Sequence, residues 1–141
     1  MAGFTLIELV LVLVVLAIAG VIAVPAIQPI LDSVRAEAAA RRTASFLDDA
    51  RRLAVLERKV LVVECRPGEE RLVLLGGASG ERSFQVPDTV AIASCRPEQM
   101  RYLPQGSATG MALVLRDRRG RERRLTVGTF TGLCRIDDAT Q

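Results

Sequence analysis

The stretch that decides the fold is GFTLIELVLVLVVLAIAGVIAV, which occupies residues 3–24. From residue 9 to residue 24 it contains no charged side chain, and its Leu, Val, Ile and Ala residues would cover every side of a helix. At 1.5 Å per residue, a helix over residues 4–24 is about 30 Å long, which matches a bilayer core. The sequence therefore predicts a transmembrane half-helix over residues 4–24.

A cleaved secretory signal peptide is the alternative for this stretch. It would need a basic start, a shorter apolar segment and small residues at a cleavage site further along. Residues 1–3 contain no Lys or Arg, and the apolar segment continues through VPAIQP at 24–29 into a helix-favouring region. Because proline removes one helical hydrogen bond and bends the helix, we expect a continuous helix with a bend at Pro25.

The pattern becomes amphipathic over residues 31–56. Charged residues alternate with apolar ones, and no glycine occurs between Gly20 and Gly68. The apolar residues recur at helical spacing, and we expect them to face a globular domain: Leu31, Val34, Ala38, Leu47, Ala50 and Ala54. The sequence predicts one long helix over residues 4–57.

Beyond residue 58 the chain has short β-type segments separated by Gly, Pro and Asp. The predicted strands are 60–65, 71–75, 82–86, 90–94, 101–103, 111–115 and 121–127. Arg118-Arg119-Gly120 is predicted to form the turn of a hairpin, with Met111, Leu113 and Leu115 alternating on one face. The expected fold is α+β, with the amphipathic half of the helix covering one antiparallel sheet of six or seven strands in residues 58–141.

The composition argues against an enzyme. The 141 residues include no His, which removes the usual general base and the commonest metal ligand. The Gly-rich residues 76–80 lack the Lys and Ser/Thr of a phosphate-binding loop and are expected to form a hairpin loop. Ser79 and Ser107 fit no nucleophile motif. We expect no catalytic residues, no metal and no cofactor.

Three cysteines, Cys65, Cys95 and Cys134, are widely spaced and contain no CxxC pair, so the sequence predicts neither a zinc site nor a thioredoxin-like motif. Export to an oxidising compartment would favour one disulfide between two of them and one remaining thiol. Three reduced, buried thiols are the equal alternative.

Glu8 is the exceptional residue of the apolar stretch. A carboxylate inside a membrane-length helix costs roughly 2.5–3.5 kcal/mol on insertion scales, so it calls for a partner. The alternative is a carboxylate at the edge of the membrane.

The run Gly3-Phe4-Thr5-Leu6-Ile7-Glu8, followed by an apolar helix, resembles the start of the type IV pilins and type II secretion pseudopilins. The resemblance implies a pilin-like fold with residues 1–3 as a leader, cleaved after Gly3 by a membrane aspartyl peptidase. It also implies methylation of the new amino group on Phe4 and a role for Glu8 in subunit contact. The leader is shorter than is usual in this family and carries no Lys or Arg.

Other segments are similar to the minor pseudopilin H subgroup and its fimbrial T relatives: residues 47–59, residues 101–110 and Thr131-Gly132. This similarity implies a minor pseudopilin of a type II secretion system, anchored in the bacterial inner membrane with its globular domain in the periplasm. The implied partners are other major and minor pseudopilins, the prepilin peptidase and the inner-membrane assembly platform. The alternative is a minor pilin of a type IV pilus that binds DNA in natural transformation.

A cluster of arginines surrounds the predicted hairpin. Its members are Arg116, Arg118, Arg119, Arg121, Arg123 and Arg124. Such a cluster can bind phosphates, but no aromatic residues are interleaved with it, and charged edge strands also protect against aggregation. We therefore expect a solvated or partner-facing edge, with binding of nucleic acid as the less favoured alternative.

Overall fold

A computed structural model describes residues 5–138, except for the side chains of residues 22–29 and 138. The chain divides after Val34 into two compact units. A single helix, α1, runs from Leu6 to Glu57, and it is continuous at Pro25. The predicted long helix is confirmed. The bend at Pro25 stays a prediction, because that side chain lies outside the description.

The part of α1 in the second unit buries a stripe of mostly small side chains. Its members are Ala36, Ala39, Ala40, Thr43, Leu47, Ala50 and Ala54. The hydroxyl of Thr43 donates to the carbonyl oxygen of Ala39 at 2.9 Å, so its burial leaves no polar group unpaired. The prediction was right for the three positions from Leu47 onward. It was wrong for Leu31, Val34 and Ala38, which are exposed. Apolar character alone did not show which helix positions face the core.

Eight strands follow the helix. They are β1 (Leu61–Arg66), β2 (Arg71–Leu75), β3 (Arg82–Gln85), β4 (Val90–Arg96), β5 (Gln99–Tyr102), β6 (Met111–Asp117), β7 (Glu122–Val127) and β8 (Cys134–Asp138). A short 3₁₀ helix, Pro67–Glu69, connects β1 to β2. All seven predicted strands are present, with ends shifted by one or two residues. The eighth strand was missed because its sequence, CRIDD, is largely polar.

The strands form two antiparallel sheets of four, so the expectation of a single sheet was wrong. The first sheet has the order β3-β2-β1-β5 and the second has β4-β6-β7-β8. Strand β5 pairs with β1 in the first sheet. Strand β4 pairs with β6 in the second sheet, although β5 lies between them in the sequence. These non-local pairings divide the sheet, and local sequence patterns do not encode them.

Alternating side chains from both sheets fill the core. In β1 the buried positions are Leu61, Val63 and Cys65, and in β6 the predicted alternation of Met111, Leu113 and Leu115 is confirmed. The buried alanines of α1 belong to the same apolar cluster as these strand residues. Together they form a core shared by the helix and the sheets, which is the architecture that the sequence predicted.

Three contacts lie where the two sheets meet. Cys65 of β1 and Cys95 of β4 form a disulfide. The N–H of Cys65 donates to the carbonyl oxygen of Glu98 at 2.7 Å. The carboxylate of Glu70, which has φ of 51°, accepts a hydrogen bond from the N–H of Ile92 in β4. The β1–β2 connection is therefore fixed to the second sheet.

We expect that replacing Cys65 and Cys95 together by serine lowers the free energy of unfolding by about 3–4 kcal/mol. The reason is that the bridge spans 30 residues of chain, and opening it restores the loop entropy of the unfolded state. Urea unfolding of the full chain in detergent micelles, followed by circular dichroism, measures the difference. Cys134→Ser is the control and should change the stability by less than about 1 kcal/mol. Equal stability of wild type and double variant would contradict a role for the bridge.

Candidate assembly interface

The N-terminal motif lies at the start of α1. Gly3 and Phe4 are outside the described residues, so cleavage and methylation there stay predictions. Thr5 precedes the helix, and its carbonyl oxygen accepts the N–H groups of Glu8 and Leu9 at 3.0 and 3.3 Å. Glu8 is therefore in the first turn, where the helix dipole favours a carboxylate. Its side chain is exposed and available to another molecule.

The apolar side chains that follow are also uncovered. From Leu6 to Val21, every large apolar side chain is between 44% and 82% exposed. Within the part of the chain that the structure describes, no helix is both long and apolar enough to cross a membrane. The predicted transmembrane half, residues 4–24, includes Phe4 and the side chains of residues 22–24, which lie outside that description.

Several arginines of the cluster form ion pairs with acids of the same domain. Arg116 donates to the carboxylate of Glu122, with Nε to Oε1 at 3.0 Å. Arg123 reaches Glu37 of α1 at 2.8 Å, a contact that ties β7 to the helix. Arg124 lies opposite Asp137 on the neighbouring strand. The structure thus places Arg116, Arg123 and Arg124 beside acids from the strands and the helix.

Asp117 organises the hairpin turn, and the sequence analysis did not single it out. One carboxylate oxygen accepts the N–H groups of Arg119 and Arg121, each at 2.9 Å, and the other accepts Nε of Arg121 at 2.8 Å. Burial raises the pKa of Asp117, but these donors outweigh it and hold the pKa below its usual range. The predicted turn at residues 118–120 is confirmed, with Gly120 at φ of 82°. An Asp just before a turn was the available signal.

Two glycine-containing loops meet against α1, and both come from the segments with similarity to minor pseudopilins. Arg51 donates from Nε to the carbonyl oxygen of Gly106 at 2.9 Å. A Cβ on Gly132 would lie 2.1 Å from that same oxygen and 3.1 Å from the Arg51 side chain. Only glycine fits such a close approach, and φ of 63° also favours it. Arg51 therefore joins the loops at 103–110 and 128–133 to the helix.

The cysteine outside the disulfide, Cys134 at the start of β8, lies beside α1. Cys134 has a free, half-buried thiol, and its N–H donates to Asp48 at 3.4 Å. Burial, and then the charge of Asp48, raises the pKa of Cys134 to about 12. Tyr102 nearby is fully buried, and its hydroxyl has no hydrogen-bond partner within residues 5–138. Of the two alternatives for the cysteines, the structure has one disulfide and one thiol.

The described residues contain no cluster of three or more His, Cys, Asp or Glu side chains that could bind a metal ion. What they contain is an exposed apolar helix, a locally neutralised arginine hairpin and a pair of loops fixed to α1.

Solved structures share this architecture. The minor pseudopilin EpsH from the type 2 secretion system of Vibrio cholerae aligns with a TM-score of 0.61 and 15% identity, over 76% of this chain and 99% of that chain. This chain has the fold of a minor pseudopilin. The type IV minor pilin FimU of Pseudomonas aeruginosa has the fold too, with a TM-score of 0.58 and 17% identity, over 74% of this chain and 94% of that chain.

No protein-family model matches the chain, and no curated protein has a significant match to it. The pilin-like fold that the resemblance implied is nevertheless confirmed. The chain thus shares its fold with these two proteins at a sequence identity of 15–17%.

We expect Gly132→Ala to destabilise this pseudopilin-like domain by about 2 kcal/mol more than Gly80→Ala. Both glycines have positive φ, but Gly80 has no atom within 4 Å of a built Cβ, so its variant carries only the backbone cost of about 1–2 kcal/mol. Gly132→Ala must also displace the rigid backbone at Gly106. Chemical unfolding of both variants measures the difference, and equal losses would show that the close approach has no energetic weight.

We expect Asp117→Asn to make the free energy of unfolding depend less on pH in the acid range. Since the folded pKa of Asp117 is lowered, its contribution is fully present above its unfolded pKa of about 3.9 and is lost as pH falls through the folded value. Wild-type stability should fall more steeply below about pH 5 than that of the variant. Unfolding midpoints from pH 7 to pH 2 test this, with exposed Asp88→Asn as control. Parallel curves for wild type and Asp117→Asn would refute it.

Proposed function

We propose that this chain is a minor pseudopilin of a type II secretion system, a subunit of the periplasmic pseudopilus that helps export folded proteins across the outer membrane. The observation that carries the proposal is the minor pseudopilin fold joined to a helix whose first turn holds Glu8 and whose apolar side chains are uncovered. The role is assembly, with no catalytic step.

The uncovered helix supports assembly on energetic grounds. Burying one Leu, Ile or Val side chain contributes about 1.5–3 kcal/mol, and twelve large apolar side chains between Leu6 and Val21 are exposed in the isolated chain. Such a helix is stable only in lipid or among the apolar helices of other subunits. Residues 4–24 would therefore lie in the inner membrane before assembly and in the filament core afterwards, with residues 58–141 in the periplasm.

Processing would prepare the chain for this transfer. The prepilin peptidase would cut between Gly3 and Phe4, and methylation would leave the new amino group on Phe4 cationic. That charge lies four residues before Glu8, at the positive end of the helix dipole. Passage from the membrane to the filament would proceed on the inner-membrane assembly platform, beside other major and minor pseudopilins.

The second candidate is a minor pilin of a type IV pilus, and the similarity to FimU favours it almost equally. The ion pairs of the arginine hairpin argue against its DNA-binding form, because an arginine paired with a carboxylate must give up that pair before it can neutralise a phosphate. Deletion of the protein, followed by parallel assays of exoprotein secretion and DNA uptake, separates the two. Loss of uptake with normal secretion would overturn the secretion proposal.

We expect Glu8→Ala to fold, insert and be cleaved, yet to enter filaments poorly. In a helical stack, Glu8 of an incoming chain would meet the Phe4 ammonium of its neighbour, so that each charge compensates the other in an apolar core. Removing one partner of a fully buried pair costs about 3–5 kcal/mol, and less where water reaches it.

Cross-linking to the neighbouring pseudopilin, with wild type, Glu8→Ala and Glu8→Asp in parallel, measures the effect. Glu8→Asp should recover part of the yield because it restores the charge on a shorter side chain. Membrane fractionation of each variant controls for insertion. A wild-type yield for Glu8→Ala would show that the carboxylate has no assembly role.

A further inference from the structure

The connection between β1 and β2 lies against the second sheet. It comprises the last two residues of β1, the short 3₁₀ helix and the residue after that helix, and we call these residues, 65–70, the β1–β2 tip. The 3₁₀ helix contacts β4. Two groups of the tip bind β4 directly: Cys65 forms the disulfide with Cys95, and the carboxylate of Glu70 accepts the N–H of Ile92. A turn of the first sheet is therefore attached to a strand of the second.

Strand β4 is the end strand of its sheet. It pairs with β6 on one side, and no strand among residues 5–138 pairs with its other side. The N–H and C=O groups along such an edge can pair with a strand of another chain, and proteins commonly cover or interrupt the edge. In β4 the pairing register shifts between Ile92 and Ser94, which marks a β-bulge. The carboxylate of Glu70 therefore caps the edge of β4 beside this bulge.

The backbone of Glu70 is in a conformation that favours glycine. Its φ and ψ are 51° and 42°, in the left-handed region, which is unfavourable for a residue with a side chain. Its N–H donates to the carbonyl oxygen of Pro67 at 3.2 Å, and its own carbonyl oxygen accepts the N–H of Val86 at 2.9 Å. A residue held in this region is often held for its side chain. In Glu70 that side chain is bound to Ile92.

The disulfide keeps the carboxylate of Glu70 close to β4. Cys65 and Cys95 are 3% and 7% exposed, and the N–H of Cys65 also donates to the carbonyl oxygen of Glu98 at 2.7 Å. With the bond intact, the contact between Glu70 and Ile92 requires little further ordering of the chain. Without the bond, the non-covalent contacts alone must offset the conformational entropy lost when the tip is ordered against β4. The cap therefore depends on the redox state of the bond.

We propose that the β1–β2 tip is a redox-sensitive cap on the edge of β4, closed by the Cys65–Cys95 bond and opened when a dithiol reduces that bond. In this step the dithiol gives up two electrons and two protons, becomes a disulfide itself and leaves thiols on Cys65 and Cys95. Because both cysteines are nearly buried, the dithiol reaches their sulfur atoms only when the tip opens locally. The inference goes beyond the assembly role, since it concerns the domain of a single chain.

The cap and the bond are linked thermodynamically. If the bond favours the contact between Glu70 and Ile92, that contact must favour the bond by the same factor, because coupling is reciprocal. Removing the carboxylate should therefore uncover the N–H of Ile92 and also make the bond easier to reduce. A carboxylate without this coupling would leave the thiol–disulfide equilibrium unchanged.

Hydrogen exchange of single amides, followed by NMR on the full chain in detergent micelles, tests the cap. We expect the Ile92 amide to exchange about 30-fold faster in Glu70→Gly, which removes the acceptor but suits the left-handed backbone. Glu70→Gln retains a neutral acceptor and should have a smaller effect. Glu69→Gln is the matched control, because it changes the neighbouring, exposed carboxylate of the tip and should leave the Ile92 rate unchanged. The amides of β6, which has a strand on each side, report global unfolding.

Reduction tests the redox response of the cap. With excess dithiothreitol, the Ile92 amide should exchange faster than in the oxidised protein. Its rate should also exceed the rates of the β6 amides by more than about tenfold, because the tip opens while the sheet stays paired.

A glutathione redox buffer measures the coupling. In a Cys134→Ser background, Cys65 and Cys95 are the only cysteines. We expect Glu70→Gly to shift their equilibrium toward the two thiols by about tenfold and Glu69→Gln to leave it unchanged.

Three results would overturn the inference. An unchanged Ile92 rate in Glu70→Gly would show that the carboxylate does not cap the edge. A single exchange rate for Ile92 and the β6 amides in the reduced protein would show that the bond holds the whole domain and not the tip. A thiol–disulfide equilibrium that Glu70→Gly does not shift would show that the cap and the bond are independent.

Discussion

The globular domain depends on the apolar contact between the small-residue face of α1 and the large side chains of the strands. Alanines at positions 36, 39, 40, 50 and 54 leave space that Tyr102, Met100, Leu113 and Leu125 fill from the sheets. Because interiors are packed as densely as organic crystals, a larger residue on the helix would displace these strand side chains. The helix thereby fixes the positions of both sheets. It also fixes the loops at 103–110 and 128–133, which contact Arg51.

The charges of the domain follow from the same arrangement. The carboxylate of Glu37 on α1 forms two ion pairs. One is with Arg41 on the same helix at 2.9 Å, and the other is with Arg123 on β7 at 2.8 Å. Asp117 serves the turn at the other end of the hairpin. Isolated surface pairs add little stability, but pairs that join a helix to a strand restrict how the elements can slide. The ion pairs of Arg121 and Arg123 therefore help to hold the hairpin in position on the domain.

The sequence allowed the long helix, seven of the strands and the 118–120 turn to be predicted, because each depends on local periodicity or on turn residues. The two-sheet division was missed because it depends on β5 pairing with β1, whose partners are about forty residues apart. The prediction also failed at Leu31 and Val34. Apolar character shows which side chains are unfavourable in water, but close packing of the helix on the strands requires small side chains. The role of Arg51 could not be predicted, since a hydrogen bond to a carbonyl group 55 residues away appears only in three dimensions.

The chemistry of Cys134 shows how this packing protects the link between the sheets. A thiolate is the species that attacks a disulfide, and the Cys65–Cys95 bridge lies in the same domain. Because burial raises the pKa of Cys134 to about 12, its thiol stays protonated near neutral pH. Burial beneath α1 is the larger cause, and the neighbouring Asp48 adds to it. The packing that buries Cys134 thus keeps its thiol in the protonated form, which does not attack a disulfide.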